Sequence, residues 1–195
     1  MGAVPPRPFA VPNRGPSMAE SPLIQRVPTD RFGRLLFLVA RAFALAGGLL
    51  IVALTLMSLA SIVGRALFAT PVPGDYELIQ LGCAVAVASF LPLTQLRGGH
   101  VIVDFFTARS RPVVREWLDA LGALLVGLAG ALIAWRMTHG AISLREANDQ
   151  STILGVPTWY AVALMLPSFA LLAITGLYTA WLHAKRGLAT DAADR

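Results

Sequence analysis

Leu96-Arg97-Gly98-Gly99-His100-Val101-Ile102-Val103-Asp104-Phe105-Phe106 interrupts a run of membrane-grade hydrophobicity near the middle of the 195-residue chain. Two long apolar segments precede it and two follow. Within eight residues it holds a cation, two glycines, a histidine and an acid, and then it turns apolar again. A water-exposed loop has no reason to return so soon to Val-Ile-Val and Phe-Phe. The physical reading is a backbone that leaves a transmembrane helix at Arg97 and turns at Gly98-Gly99. It then runs along the membrane surface with its apolar side chains in the interface.

Composition points the same way. The chain is 56% hydrophobic and 14% charged, whereas soluble domains carry roughly 25% charged residues. The net charge of +5 does not indicate a nucleic-acid partner. The basic residues stand at the ends of apolar segments, where a membrane protein needs them, and form no basic face. Cys83 is the only cysteine, so no disulfide framework or cysteine metal site can form within one chain, and it reads as a small buried hydrophobe.

Residues 1–33 are rich in proline and arginine, a composition that cannot bury enough apolar surface to fold, and they read as a disordered tail. The apolar run behind them is too long, and lacks the small-residue cleavage site, for a signal peptide. Met18 offers a second start, with residues 1–17 then an over-long reading of the gene; N-terminal sequencing of the native protein settles this.

A membrane domain follows over residues 34–184, with spans at about 35–64, 77–96, 113–139 and 157–183. From Ala42 to Gly64 there is no charge, long enough at about 1.5 Å per residue to cross a core of about 30 Å. Arg41, just below, is a snorkelling anchor. Gly47, Gly48, Ser58 and Ser61 offer small surfaces for a close helix approach. Pro71, Pro73 and Gly74 stop the first helix and set the turn into the second. Glu77 falls on the first turn of the second, where it either complements the macrodipole or contacts a partner chain. Pro92 is expected to kink that span near its far end.

Ser110 suits an N-cap and Pro112 the first turn of the third helix. Arg115 and Asp119 have the spacing of an i,i+4 pair. Trp117 and Trp135 are about 27 Å apart along a helix, the separation of two aromatic belts. Gly140 to Pro157 is the most polar connection between spans. Pro157 can occupy the first turn of the fourth span, Pro167 is expected to bend it, and residues 185–195 form a short polar tail.

Four spans place both termini on one side. That side, with the Gly-Gly-His stretch, carries thirteen of the sixteen Lys and Arg residues; Arg65, Arg136 and Arg145 are on the other. The positive-inside rule puts the termini in the cytoplasm.

No nucleophile–base pair, phosphate loop or metal-ligand cluster is present, and no ionisable group is held at mid-membrane. His139 and His183 end their spans on opposite sides and His100 lies in a connection, so they do not make a haem site. No cofactor and no enzymatic activity are expected. The residues alone give a four-span all-α subunit, with a short interfacial amphipathic segment between the second and third helices, that supports something else.

Two motifs supply more. Gly64-Arg65-Ala-Leu-Phe68, Pro73-Gly74 and Glu77-Leu78 form the first. The second is Arg97-Gly-Gly-His100-Val101-Ile-Val103-Asp104, followed by Ser151, Leu154, Pro157 and Trp159. Together, over roughly residues 35–183, they resemble the small, Q-type membrane subunit of tripartite ATP-independent periplasmic (TRAP) transporters. That resemblance implies an inner-membrane subunit beside a large multi-span permease subunit carrying the substrate and sodium sites. A periplasmic solute-binding protein would deliver the solute, often an organic acid, and the surrounding membrane lipid completes the set of partners.

The resemblance marks Arg65, Glu77, Arg97, His100, Asp104, Pro157 and Trp159 as motif positions, none catalytic. Arg97, His100 and Asp104 either fix the turn and meet the partner subunit or merely solvate a loop. Arg145, Glu146 and Asp149 either contact the binding protein or belong to an ordinary solvated connection. Competing readings are a membrane anchor of a redox complex and a stand-alone four-helix membrane protein.

Overall fold

The computed structural model describes residues 30–69, 72–98 and 112–193. The expected interfacial segment, with His100 and Asp104, and the proline-rich tail through residue 29 lie outside the described residues.

Four helices account for nearly all that is described: α1 (Arg31–Phe68), α2 (Asp75–Leu96), α3 (Pro112–Glu146) and α4 (Trp159–Ala193). Each is long and apolar enough to cross a membrane. In every one, the most apolar window is only 22–39% buried inside the chain. Side chains such as Leu49 and Leu67, each 72% exposed, would be aggregation sites in water, but they suit hydrocarbon. Hence the chain is an all-α, multi-pass membrane protein.

The helix ends explain themselves locally. α1 closes on Ala69, whose left-handed backbone (φ 54°) returns its N–H to Gly64. α2 opens on Gly74 at φ 73°. A side chain there would run into Leu154 as well as strain the backbone. α2 continues as helix past the buried Pro92 and α4 past Pro167, each proline removing one donor from the ladder.

α3 continues beyond the expected end near His139 to Glu146. Hydropathy marks where lipid ends, whereas Ala-Ile-Ser-Leu-Arg-Glu (141–146) still holds good helix formers. It stops in a Schellman motif: Asn148 takes φ 49°, its N–H reaches Arg145 O at 3.2 Å, and the Asp149 N–H reaches Leu144 O at 3.1 Å. Asn tolerates this backbone and β-branched residues do not. Asn148→Val should therefore cost about 1–2 kcal/mol, and Asn148→Gly nothing, by thermal unfolding in detergent.

α4 likewise runs on to Ala193, so most of the segment read as a polar tail is helical. It is anchored where Gly187 passes the Trp117 ring. Pro157 is not in the first turn of α4. It bridges to Gln150, two residues before the helix starts.

The helices lie side by side in the order α1, α2, α4, α3, with α1 meeting α4 only slightly. Two crossings are tight. At Gly47 a Cβ would sit 2.9 Å from Ser89 Cβ and 3.0 Å from the Ala86 carbonyl, joining α1 to α2. At Gly176 a Cβ would sit 2.5 Å from Gly127 Cα and 3.0 Å from the Ala123 carbonyl. This lets α3 and α4 approach backbone to backbone, the usual basis of helix pairing in lipid. Gly48, Gly122 and Gly140 meet nothing nearby. Cys83, expected to be buried, is exposed on α2; a thiol facing lipid or another helix has no desolvation cost to avoid.

Each end of the molecule has its own cluster. One end gathers the α1–α2 turn and the α3–α4 connection. The other gathers the start of α1, the end of α2, the start of α3 and the end of α4. There Leu36, Ala40, Leu171 and Tyr178 pack with Phe43, Leu93, Leu96 and Leu182. His183 Nδ1 lies 2.7 Å from Glu116 Oε2, joining α4 to α3.

Candidate functional site

The Gly64–Leu78 motif and the Ser151–Trp159 part of the second motif come together at the connection end. Asp75, on the first turn of α2, is the nearer hub. Its Oδ2 accepts from the Ser61 hydroxyl at 2.7 Å and faces Arg65 Nη2 at 3.6 Å, and its Oδ1 accepts from the Tyr76 N–H at 2.9 Å. Ser61 is 1% exposed and also accepts from the Val72 N–H at 3.3 Å. One carboxylate thus holds the α1–α2 turn closed.

Glu77, two residues on, crosses to the other helix pair. Its carboxylate accepts from the Ser151 hydroxyl, the Ile153 N–H at 3.1 Å and the Leu154 N–H at 3.3 Å. Hydrogen bonds to an ionised acceptor are about twice as strong as neutral ones. Three from one short segment make Glu77 the latch on residues 151–154. That segment is curled to present its donors: Ser151 N–H bonds Val156 O at 2.9 Å and Gly155 N–H bonds Ser151 O at 3.1 Å, with Gly155 at φ 63°. Leu154 then closes over Gly74.

The rest of the connection is also ordered. The Thr158 hydroxyl donates to Asp149 Oδ2 at 2.6 Å, and its N–H to Asp149 O at 3.2 Å. The Arg145 guanidinium lies 5.4 Å from the centre of the Trp159 ring, which stacks on Tyr160 at 4.1 Å. This places a cation–π contact at the outer rim of the bundle.

Of the residues singled out from the sequence, Arg65, Glu77, Arg145, Glu146, Asp149, Pro157 and Trp159 all belong to this end. Arg145 and Glu146 ride the last turn of α3 rather than a loop. Glu77 does stand on the first turn of α2, with its carboxylate turned to its own chain. Arg97 is at the opposite end, exposed at the close of α2, followed by Gly98 at φ 67°. Sequence reasoning did not single out Asp75, and it read Ser61 only as a small surface for helix approach. The signal was an acid and a serine flanking a Pro-Gly turn, which many turns also contain. Among the described residues no group of His, Cys, Asp or Glu could hold a metal ion. His139 and His183 sit toward opposite ends of the α3–α4 pair. The site is therefore an assembly of interlocked turns: it can hold a shape and present a surface.

Long lipid-facing helices, charges gathered toward their ends and an ordered polar rim define a multi-pass membrane subunit built for assembly. The family model described as "Tripartite ATP-independent periplasmic transporters, DctQ component" matches residues 54–186, and the chain belongs to that family. It is a small permease subunit of a TRAP transport system, and the family is one of transporter components rather than of enzymes. Neither a curated protein nor a solved structure matches the chain.

Proposed function

We propose that the chain scaffolds the large permease subunit in the bacterial inner membrane and that its connection end helps to dock the periplasmic solute-binding protein. The observation that carries this reading is the Glu77 latch. It joins the two helix pairs into one rigid outer rim, on which Arg145, Glu146 and Asp149 are exposed. A rim that only had to solvate a loop needs no three-donor clamp to hold it. In this reading both termini and the Gly-Gly-His stretch face the cytoplasm, in line with the excess of Lys and Arg on that side. The family's independence of ATP fits uptake driven by an ion gradient, and in this reading the cargo is a small organic acid taken up by symport.

Among the described residues no group could hold a metal ion, and in this reading the contribution is geometric: the chain holds the partner still and offers the binding protein a fixed landing surface. Arg97, His100 and Asp104 meet the large subunit at the cytoplasmic side. Replacing Arg145, Glu146 and Asp149 together with alanine should lower solute uptake in cells by about tenfold, the order expected when a charged docking rim is removed, while the subunits still copurify. Undiminished uptake rules out docking at this surface.

A further inference from the structure

We propose that the groove between the start of α1 and the last turns of α4 seats one phospholipid whose headgroup carries a primary ammonium beside its phosphate. The groove encloses about 740 Å³ and is lined by Asp30, Phe32, Ile174, Leu177, Tyr178, Trp181 and Lys185. Its long wall is the exposed face of α4: Ile174 and Leu177 are each 47% exposed and Trp181 50%. That is an open apolar channel at helical spacing, sized for an acyl chain.

The mouth is polar, and its charges are of both signs. The Lys185 ammonium sits 3.8 Å from the centre of the Trp181 ring, held where the apolar wall ends. Across from it Asp30 precedes α1 and makes no side-chain cap hydrogen bond, so its carboxylate is not committed to the helix it begins. Arg186, beside Lys185, already has a partner within the chain. Phe32 and Tyr178 meet edge to face at 5.6 Å and form the floor. Tyr178 is 9% exposed, and its hydroxyl faces the Asp30 carboxylate, its nearest polar neighbour in the groove, at a geometry too poor for a full hydrogen bond. A weakly paired buried hydroxyl gains from a better acceptor, and a phosphate or ester oxygen in the groove would offer one while leaving Asp30 to the ammonium.

These groups match one ligand class. The acyl chain lies along Ile174 and Leu177, the phosphate meets Lys185, and the ammonium meets Asp30. A singly anionic headgroup would bring its phosphate to Lys185 but leave Asp30 facing a like charge. A quaternary ammonium could not donate a hydrogen bond to the carboxylate.

The test uses the full chain, purified in mild detergent and stripped of lipid. It is titrated with phosphatidylethanolamine, phosphatidylglycerol and phosphatidylcholine of identical acyl chains, with bound lipid read by native mass spectrometry. Phosphatidylethanolamine should bind about fivefold more tightly than phosphatidylglycerol, the factor that one interfacial charge contact supplies. Asp30→Asn should erase that preference, and Asp30→Lys should reverse it. Leu177→Trp, which fills the channel from the lipid-facing side, should abolish retention of all three while the helical circular dichroism stays unchanged. Equal binding of the three lipids by the unaltered chain overturns the proposal. So does a preference that survives Asp30→Lys, or a Leu177→Trp chain that still retains lipid.

Discussion

Gly176→Leu is expected to drive α3 and α4 apart. The helices meet where the two glycine backbones pass each other: a Cβ on Gly176 falls 2.5 Å from Gly127 Cα and 2.7 Å from its nitrogen. These are backbone atoms, which cannot swing aside as the end of a flexible side chain can. On the other side of the crossing, a Cβ on Gly130 meets the Ala173 nitrogen at 3.1 Å. The crossing therefore has no slack along a full turn. Overpacking of this kind costs about 3 kcal/mol at the upper end of its usual range. In lipid no hydrophobic force is left to hold the pair together once its packing is lost. Thermal unfolding in detergent should show a large drop for Gly176→Leu. Gly122→Leu, one turn and a half away on α3 where nothing lies within 4 Å, should stay within about 0.5 kcal/mol of the parent. Equal losses for the two variants would mean that glycine content, not this crossing, sets stability.

The second large effect is expected at the latch. Glu77→Ala removes the common acceptor of the Ser151 hydroxyl and of the Ile153 and Leu154 amides. The neighbouring carboxylates are already engaged, Asp75 with Ser61 and Arg65 and Asp149 with Thr158. Exchange of the 153 and 154 amides should quicken by about tenfold or more, as in a loop released from local protection. Exchange in the α3–α4 crossing should be unchanged. Glu77→Gln keeps one acceptor oxygen and should fall between the two. If the connection docks the binding protein, uptake should decline in the same order across the three chains. Unaltered protection of Ile153 and Leu154 in Glu77→Ala would show that the loop holds its shape without the latch.

Much of the architecture was legible because lipid imposes a simple rule. An uncharged run such as Ala42 to Gly64 has few other uses, and the aromatic residues and cations at its borders repeat in each span. The true helix ends were less legible. Gly140 to Glu146 and Lys185 to Ala193 are helical beyond the apolar runs, and only capping chemistry such as the left-handed Asn148 marks where α3 stops. The partners of the glycines were not legible at all. Gly127 and Gly176 are ordinary residues in their own helices, and their pairing exists only once α3 and α4 are laid together.

The site divides along the same line. Glu77, Pro157 and Trp159 stood out through the motifs they belong to, but the role of Glu77 did not, because its partners lie more than seventy residues away in the chain. A carboxylate on the first turn of a helix always has the macrodipole as a sufficient reason to be there. Asp75 was overlooked for that reason, although it does for the α1–α2 turn what Glu77 does for the α3–α4 connection.

The central claim is that the latched connection end faces the periplasm and the groove end the cytoplasm. It is tested most directly by labelling single cysteines in intact cells, with Cys83→Ser as the background. Ile153 and Leu188 are exposed at opposite ends, 62% and 60% respectively. A membrane-impermeant maleimide should modify Ile153→Cys in intact cells, and Leu188→Cys only after the inner membrane is opened. Labelling of Leu188→Cys in intact cells, with Ile153→Cys protected until lysis, would contradict the account.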